Sequence, residues 1–422
     1  MRVDLPFGRE SLSVEVSDSA TVLRPNPALV LPEPAAAISG LLRSPTAGAP
    51  LRDRVRAGQS VTIVISDVTR PVPNQVLLPP LIGELRAAGI RDADITIVNG
   101  TGLHRPNTDA EVRDMLGDLA ARYRVVQHEA LRPETLVEVG RSLRGVPVEL
   151  CRVYVEAGVR VVTGFVEPHL FAGYSGGAKG VMPGVAGAEI VMSNHGAGNL
   201  AHPSARWCVA AGNPVFDEMR DIIELCPPHF LLNVSLDSAR NITGVFAGDW
   251  REAHDAAIAQ AAKQYTVRVA APYDVVVATN MGYPADTSLY QSVKGMSVAA
   301  EGVREGGAIL LVAGCDEGLG GSEYVSFLTS RDSPQALLAD ILGAERPRHD
   351  QWQVQCQAIV QKKAAVYLHS KLTREQTEAA HLEYCASPSE TVRRLVAEAQ
   401  AMGRPGNVLV LPYGQLTVPV IS

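Results

Sequence analysis

The sequence predicts an α/β protein with mainly parallel sheets, and two observations carry that prediction. Short runs rich in Val, Ile and Leu alternate with longer segments of helical period, from VTIVIS at 61–66 to NVLVLPYG at 407–414. This is how strands read when helices cover both faces of their sheet. Several runs also end in turns rich in glycine or in polar side chains, as at 66–73, 101–106 and 163–177. Open α/β sheets bind their ligands at such strand ends. The 422 residues suit two or three domains of ordinary size, and 46% apolar content is enough for their cores. The expected architecture is two Rossmann-like domains, 1–270 and 271–422, with the active-site cleft between them.

Each element has its own signal. The first ~20 residues alternate as a hairpin (LSVEV), and 24–50, rich in Pro and Ala, read as a loop with one short helix. VTIVIS at 61–66 is a buried strand, 74–89 a helix kinked by proline, and DITIVNG at 94–100 the next strand. Residues 108–119 are helical, with Thr108 and Glu111 spaced as a capping box. RVVQHEA, GVPVEL and VRVV (159–162) are short strands. GNPVFDEMRDIIEL is a helix, HFLLNVSLD and ITGVFAG are strands, and Asp249 stands to cap a helix over 250–263. The second unit starts near Pro272. YDVVVATN (273–280) is a strand, YQSVKGMSVAAEGV a helix, and AILLVAG (308–314) a strand running into the loop CDEGLGGSEY. Two helical segments, the strand AAVYLHS, the helix SETVRRLVAEAQAMG and the final strand NVLVLPYG complete it.

Composition excludes several function classes. A net charge of −7 and a pI near 5.8 argue against a nucleic-acid or membrane-surface partner, though not against a small anionic ligand held by a local cationic cluster. The six cysteines are scattered with no C-x-x-C pair, which suits a reducing cytoplasm and neither a disulfide framework nor a zinc site. The N-terminus does not read as a signal peptide, and no apolar run approaches the roughly 18 residues of a membrane helix. A cytoplasmic protein is the expectation.

The chain is organised around 163–195, TGFVEPHLFAGYSGGAKGVMPGVAGAEIVMSNH, which holds seven glycines, two histidines and one lysine. It follows a strand, and glycines such as Gly173, Gly176 and Gly177 permit close backbone approach and positive φ. It matches neither G-x-x-x-x-G-K-[ST] nor G-x-G-x-x-G. Polar residues also follow three other strands: Asp67 and Arg70 in SDVTRPVP, His104 and Arg105 in TGLHRP, and Tyr290, Gln291 and Lys294 beyond YDVVVATN. Taken singly, each has a plainer reading. His104 reads as a loop cap, His169 as bonded within its loop, Lys179 as a phosphate-binding lysine, His195 as a helix C-cap, and Lys294 as part of a solvated helix face.

SDVTRPVP, TGLHRP, GFVEPHLFAGYSGGAKGVMPG with His195 behind it, and YQSVKG together resemble, in order, the lactate racemase family that uses a nickel-pincer nucleotide. The resemblance implies a racemase or epimerase that inverts C2 of a 2-hydroxyacid, lactate or a similar short-chain acid, by proton-coupled hydride transfer. It implies a pyridinium mononucleotide holding nickel, tethered through Lys179, with His195 as a metal ligand. By the same matching, Asp67, Val68, Thr69, Arg70, Gly176 and Gly177 contact the cofactor. His104 and His169 are the catalytic pair, and Arg70, Tyr290, Gln291 and Lys294 bind the substrate. Cofactor-biosynthesis proteins are then transient partners.

Residue chemistry agrees with that scheme. Imidazole titrates near neutrality and is a nickel ligand, a deprotonated lysine can anchor an electrophile, and arginine offers a planar fork to a carboxylate. Whether Lys179 bonds covalently stays open, as do the roles of His202 and Trp352. The other readings are a metal- or NAD-dependent 2-hydroxyacid oxidoreductase or lyase, and a non-catalytic carrier of the nickel nucleotide. The missing G-x-G-x-x-G counts against the NAD version.

Overall fold

The chain opens on an antiparallel hairpin, β1 (Arg2–Phe7) and β2 (Glu10–Glu15), followed by the short β3 (Thr21–Val22). The computed structural model describes residues 1–421. After α1 (Pro34–Arg43), a regular alternation begins: β4 (Val61–Ser66), α2 (Asn74–Ala87), β5 (Ile95–Gly100), α3 (Asp109–Leu116), α4 (Leu119–Arg122) and β6 (Arg124–Gln127). A separate antiparallel pair, β7 (Leu136–Arg141) with β8 (Pro147–Cys151), and the turn α5 (Arg152–Val155) lead into β9 (Val159–Phe165). Beyond it lie the two-residue strands β10 (Pro168–His169) and β11 (Gly173–Tyr174), then α6 (Ala188–Asn194), α7 (Ala197–Leu200) and α8 (Pro214–Ile223). β12 (Phe230–Leu236), β13 (Ile242–Gly248) and α9 (Trp250–Tyr265) close the first unit.

The second unit runs β14 (Thr266–Val269), β15 (Tyr273–Thr279), α10 (Leu289–Gly302), β16 (Val303–Val312), α11 (Ser322–Leu328), α12 (Pro334–Gly343) and α13 (Gln351–Lys363). It ends with β17 (Ala365–His369), α14 (Arg374–Ala379), β18 (Glu383–Tyr384), α15 (Pro388–Ala401), β19 (Val408–Leu411) and β20 (Val418–Ile421).

Among the described residues there are two six-stranded sheets. The first has the order β13-β12-β9-β4-β5-β6 and is parallel except for the antiparallel β12–β13 pair. The second has the order β18-β17-β16-β15-β19-β3 and is parallel throughout. Successive residues of a strand point to opposite faces, and here they enter different cores. Ile63 and Ile65 pack with α1 and α2, while Val64, Val98 and Val162 pack with the glycine-rich segment and α8. In the second sheet Val275 and Val277 meet the β1–β2 hairpin and α15, while Val276 and Ala278 meet α10. One apolar core therefore runs from the inner face of one sheet to the inner face of the other.

Three local expectations give way to tertiary contacts. Residues 1–22 do not lie in a 1–270 unit: β3 pairs with β19, and Val3, Leu5, Val14 and Val16 pack on the second sheet. Alternation identifies a hairpin but not the sheet that receives it. The helix expected over 108–119 keeps its capping box but stops at Gly117, whose φ of 57° breaks it from α4. Asp249 sits at the N-cap position of α9 without capping it, because its carboxylate is paired with Arg54 at 2.6 Å.

Candidate active site

The first sheet builds outward from β4 through β5 to β6, then returns to β4's other side with β9. Strand order thus reverses between β4 and β9, and a crevice opens beyond their carboxyl ends. It is lined by Ser66, Asp67 and Arg70 after β4, by 100–104 after β5, and by His169, Phe171, Gly176, Lys179 and His195 after β9. The second unit closes it with Tyr290, Gln291 and Lys294 from the first turns of α10 and Trp352 and Gln353 from α13. The recess encloses about 1100 Å³ of space, counting the part open to solvent.

The turn that presents Lys179 is clamped from behind. Ser175 Oγ donates to the Phe165 carbonyl at 3.0 Å and accepts from Glu167 N–H at 2.9 Å. Gly177 N–H donates to Asn233 Oδ1 at 2.8 Å, and His254 Nε2 bonds the Ser175 carbonyl at 3.0 Å. Gly176 and Gly177 have φ of 75° and 50°, and a Cβ at 177 would lie 2.0 Å from His254 Nδ1. Only glycine fits that position. Lys179 follows, sunk in the cleft, with no carboxylate in ion-pair range among the described residues. Burial, then the positive charges of Arg70 and Lys294, push its pKa down to about 7, so the amine is partly neutral at physiological pH.

The three histidines differ in what holds them. His104 Nδ1 lies 2.6 Å from Asp67 Oδ2, and Asp67 Oδ1 accepts from Thr69 Oγ1 at 2.6 Å and Thr69 N–H at 3.2 Å. Burial pushes the Asp67 carboxyl up, but the bonds and charges of His104, Arg70 and Thr69 outweigh it and hold the pKa low. His169 Nδ1 accepts the Ala172 N–H at 3.2 Å. Burial, with Lys179, Arg70 and Lys294 nearby, holds His169 far below the usual histidine range. His195 does sit at the C-cap of α6, and its side chain also faces the cleft. Its Nδ1 is buried without a hydrogen-bond partner, and burial and Lys179 push its pKa down to about 3. Phe171 stands edge-on between His169 and His195, with ring centroids 4.7 and 4.9 Å away, and Trp352 meets His195 from the other side at 5.6 Å.

At the second unit's wall, Lys294 Nζ donates to Gln291 Oε1 at 3.0 Å. Burial and Arg70 lower its pKa to about 8, against the opposing charges of Glu167 and Asp67. Tyr290 donates its hydroxyl to Asp350 at 3.0 Å, and Gln353 Nε2 holds the Tyr290 carbonyl at 2.5 Å. Tyr290 thus anchors α10 to α13. Arg70 and Lys294 converge from opposite units, an arrangement suited to a small carboxylate.

Of the residues singled out from the sequence, Asp67, Arg70, His104, His169, Gly176, Lys179, His195, Tyr290, Gln291 and Lys294 all line this cleft. Three do not. Val68 is 39% exposed and donates its N–H to Asn107, Thr69 serves Asp67, and Gly177 lies behind the turn. Trp352 lines the cleft, whereas His202 sits outside it, accepting the Ser204 N–H at 3.2 Å. Sequence reasoning missed Phe171, Asn233, His254 and Gln353. A buried Asn inside the apolar run FLLNVSL was the one signal available. Among the described residues no group of three or more His, Cys, Asp or Glu stands close enough to hold a metal.

The lactate racemase N-terminal domain matches residues 7–208, and the lactate racemase C-terminal domain matches 268–420. The lactate racemase of Thermoanaerobacterium thermosaccharolyticum is 32% identical over 360 residues, covering 84% of each chain. That of Lactiplantibacillus plantarum is 30% identical over 426 aligned residues, covering 98% of each. The solved structure of the T. thermosaccharolyticum lactate racemase apoprotein superposes with a TM-score of 0.92 at 28% identity, covering 99% of this chain and 100% of that one. A crystal structure of a Thermotoga maritima protein shares the fold at 17% identity, with a TM-score of 0.68 over 93% of this chain and 100% of its own. With both domains matched and relatives at this identity over most of its length, the chain belongs to the lactate racemase family and is an isomerase.

Proposed function

We propose that this racemase inverts C2 of lactate, or of a similar short-chain 2-hydroxyacid, with the help of a nickel-pincer nucleotide. The observation that carries the reading is the convergence in one cleft of His104, His169, a lysine of depressed pKa and the cation pair Arg70 and Lys294. Both curated relatives carry the name lactate racemase, which supports lactate as the first substrate to test.

The residues fit the cofactor. Lys179, partly neutral near pH 7, is a competent nucleophile toward an electrophilic carbon of the nucleotide and would tether it. His195, neutral and unpaired at Nδ1, would ligate the metal. When bound, the nickel-pincer nucleotide supplies the acceptor and donor for the C2 hydride.

The chain's own residues do the rest. Arg70 offers its planar fork to the substrate carboxylate, and Lys294, oriented by Gln291, adds a second cation. His104 and His169 handle the hydroxyl proton. Phe171 and Trp352, both buried, wall the reacting centre from water. The six cysteines are all unpaired, which supports a reducing cytoplasm, where proteins that make the nucleotide would supply it.

The test is intact mass of the denatured chain after co-production with the nucleotide pathway, together with racemisation of each lactate antipode. A nucleotide-sized adduct absent from Lys179→Ala, and interconversion of the antipodes, is the expected result. A chain that carries neither nickel nor nucleotide, or that racemises no 2-hydroxyacid when loaded, overturns the reading.

A further inference from the structure

α13 carries a run of glutamines whose amides each donate to a carbonyl of another segment. Gln353 Nε2 holds Tyr290 at 2.5 Å, Gln357 holds Ala380 at 2.8 Å and Gln361 holds His381 at 2.5 Å, all within the second unit. Gln355 reaches the first unit instead: its Nε2 donates to the Ala197 carbonyl at 2.9 Å. Ala197 is the first residue of α7 and follows closely on His195, the C-cap of α6. On the same face of α13, one turn before Gln355, Trp352 stands edge-on to the His195 ring at 5.6 Å.

The stretch of chain beyond His195 is gripped by the second unit elsewhere too. Trp207 Nε1 donates to Ser297 Oγ at 3.0 Å, and Arg206 is paired with Glu301, both acceptors belonging to α10. The segment from His195 to Trp207 is therefore first-unit chain bonded to second-unit helices. The turn that carries Lys179 is different. Its clamps, Ser175, Asn233 and His254, all belong to the first unit.

Stability does not account for Gln355. The residue is fully buried, yet its Oε1 has no hydrogen-bond partner among the described residues. A buried amide left half unpaired costs free energy. The Ala197 carbonyl does not depend on it either, since it also accepts the Ala201 N–H at 2.9 Å. What the bond does is fix, from across the cleft, the backbone that carries His195.

We propose that Gln355 is a positioning residue for His195: together with Trp352 it braces the metal-ligand histidine from the second unit, so that holding the metal requires both units while tethering the nucleotide requires only the first. The proposal rests on the nickel-nucleotide reading above. An imidazole binds a metal only while its nitrogen is aimed at it, and partners that orient a ligand are typically worth about 10–100-fold in metal affinity. Phe171 and Trp352 confine the ring from either side, and Gln355 holds the chain just beyond it.

The test has two readouts on Gln355→Met, which keeps the length of the side chain and removes the donor. The first is hydrogen exchange in the chain without cofactor. Amides of 195–201 should exchange roughly tenfold faster than in the wild type, with those of 176–181 unchanged and the thermal midpoint level or raised. Exchange at 195–201 equal to the wild type, or a lowered midpoint with faster exchange throughout the chain, overturns the proposal.

The second readout is on protein co-produced with the nucleotide pathway: intact mass for the adduct, and nickel content by elemental analysis after a challenge with EDTA. Gln355→Met should keep the adduct and lose nickel roughly tenfold faster than the wild type, as His195→Ala also does. Nickel released at the wild-type rate, or adduct and nickel lost together, overturns the proposal. If the wild type carries neither nickel nor nucleotide, the functional reading falls, and hydrogen exchange still decides whether Gln355 braces His195.

Discussion

The two walls of the cleft are built on different principles. The first unit's wall comes from strand-end turns held almost entirely by backbone bonds and buried polar clamps: Ser175, Asn233 and His254 fix the turn, and Asp67 fixes His104. The second unit's wall comes from helices, and it reaches the site with long side chains: Lys294 and Gln291, bonded to each other, and Trp352, which meets the rings of His195 and His349. A turn at a point of strand reversal gives fixed geometry and dry surroundings, which suit a tether and a metal ligand. A helix face gives adjustable charge, which suits a small anion that enters and leaves. The strand-end rule locates the site but does not by itself distinguish the fixed wall from the adjustable one.

The hardest test of this contrast is Gly177→Ala. Positive φ and a Cβ 2.0 Å from His254 Nδ1 would force the turn to shift. Strain of ~3 kcal/mol corresponds to about 100-fold in activity, and the intact-mass assay should show the nucleotide largely lost. A variant that keeps both would mean that the turn is not rigid.

Lys179 offers a chemical test. A lysine whose pKa is pushed down to about 7 gains its neutral, reactive form as pH rises from 6 to 8, well below the range of ordinary lysines. At pH 8 its labelling by an amine-directed reagent should exceed that of surface lysines by roughly 100-fold in neutral fraction, read by peptide mass spectrometry of the chain without cofactor. If labelling rises only above pH 9, burial is not lowering the pKa.

On the other wall, Lys294→Ala removes a charged hydrogen-bond donor, worth ~1.5–3 kcal/mol or roughly 10–100-fold in kcat/KM. The loss should fall mainly on KM for the 2-hydroxyacid, with nucleotide and nickel retained. Loss of the cofactor instead would erase the distinction between the walls. Because antipodes are equal in free energy, kcat/KM must stay equal in both directions in every variant. The smallest effect is expected away from both walls. Thr108→Ala removes a helix cap, costs about 1 kcal/mol of stability by denaturant titration, and should leave turnover unchanged.

The strands were legible because buried runs such as VTIVIS and YDVVVATN contrast sharply with their polar sequels, and that same contrast exposed Asp67, Arg70, His104 and Lys294. The partners that position those residues were not legible. Asn233 and His254 meet the glycine-rich turn from 56 and 79 residues away, and no local pattern encodes such a meeting. Asp249 shows the converse. Its position matched a local cap, yet Arg54, 195 residues distant, holds it elsewhere. The first 22 residues were misassigned for the same reason, since a two-residue alternation is satisfied by any sheet with an apolar face.

The pairing of β3 with β19, and of β14 with β20, has a consequence for biosynthesis. Every strand of the first sheet is contained within residues 61–248, so that sheet has all its chain once the ribosome passes β13. The second sheet needs β3 and β19 side by side, so its edge stays open until nearly the whole polypeptide has emerged. The unit that carries Lys179 is thus ready to fold while the unit that carries Lys294 is still being made.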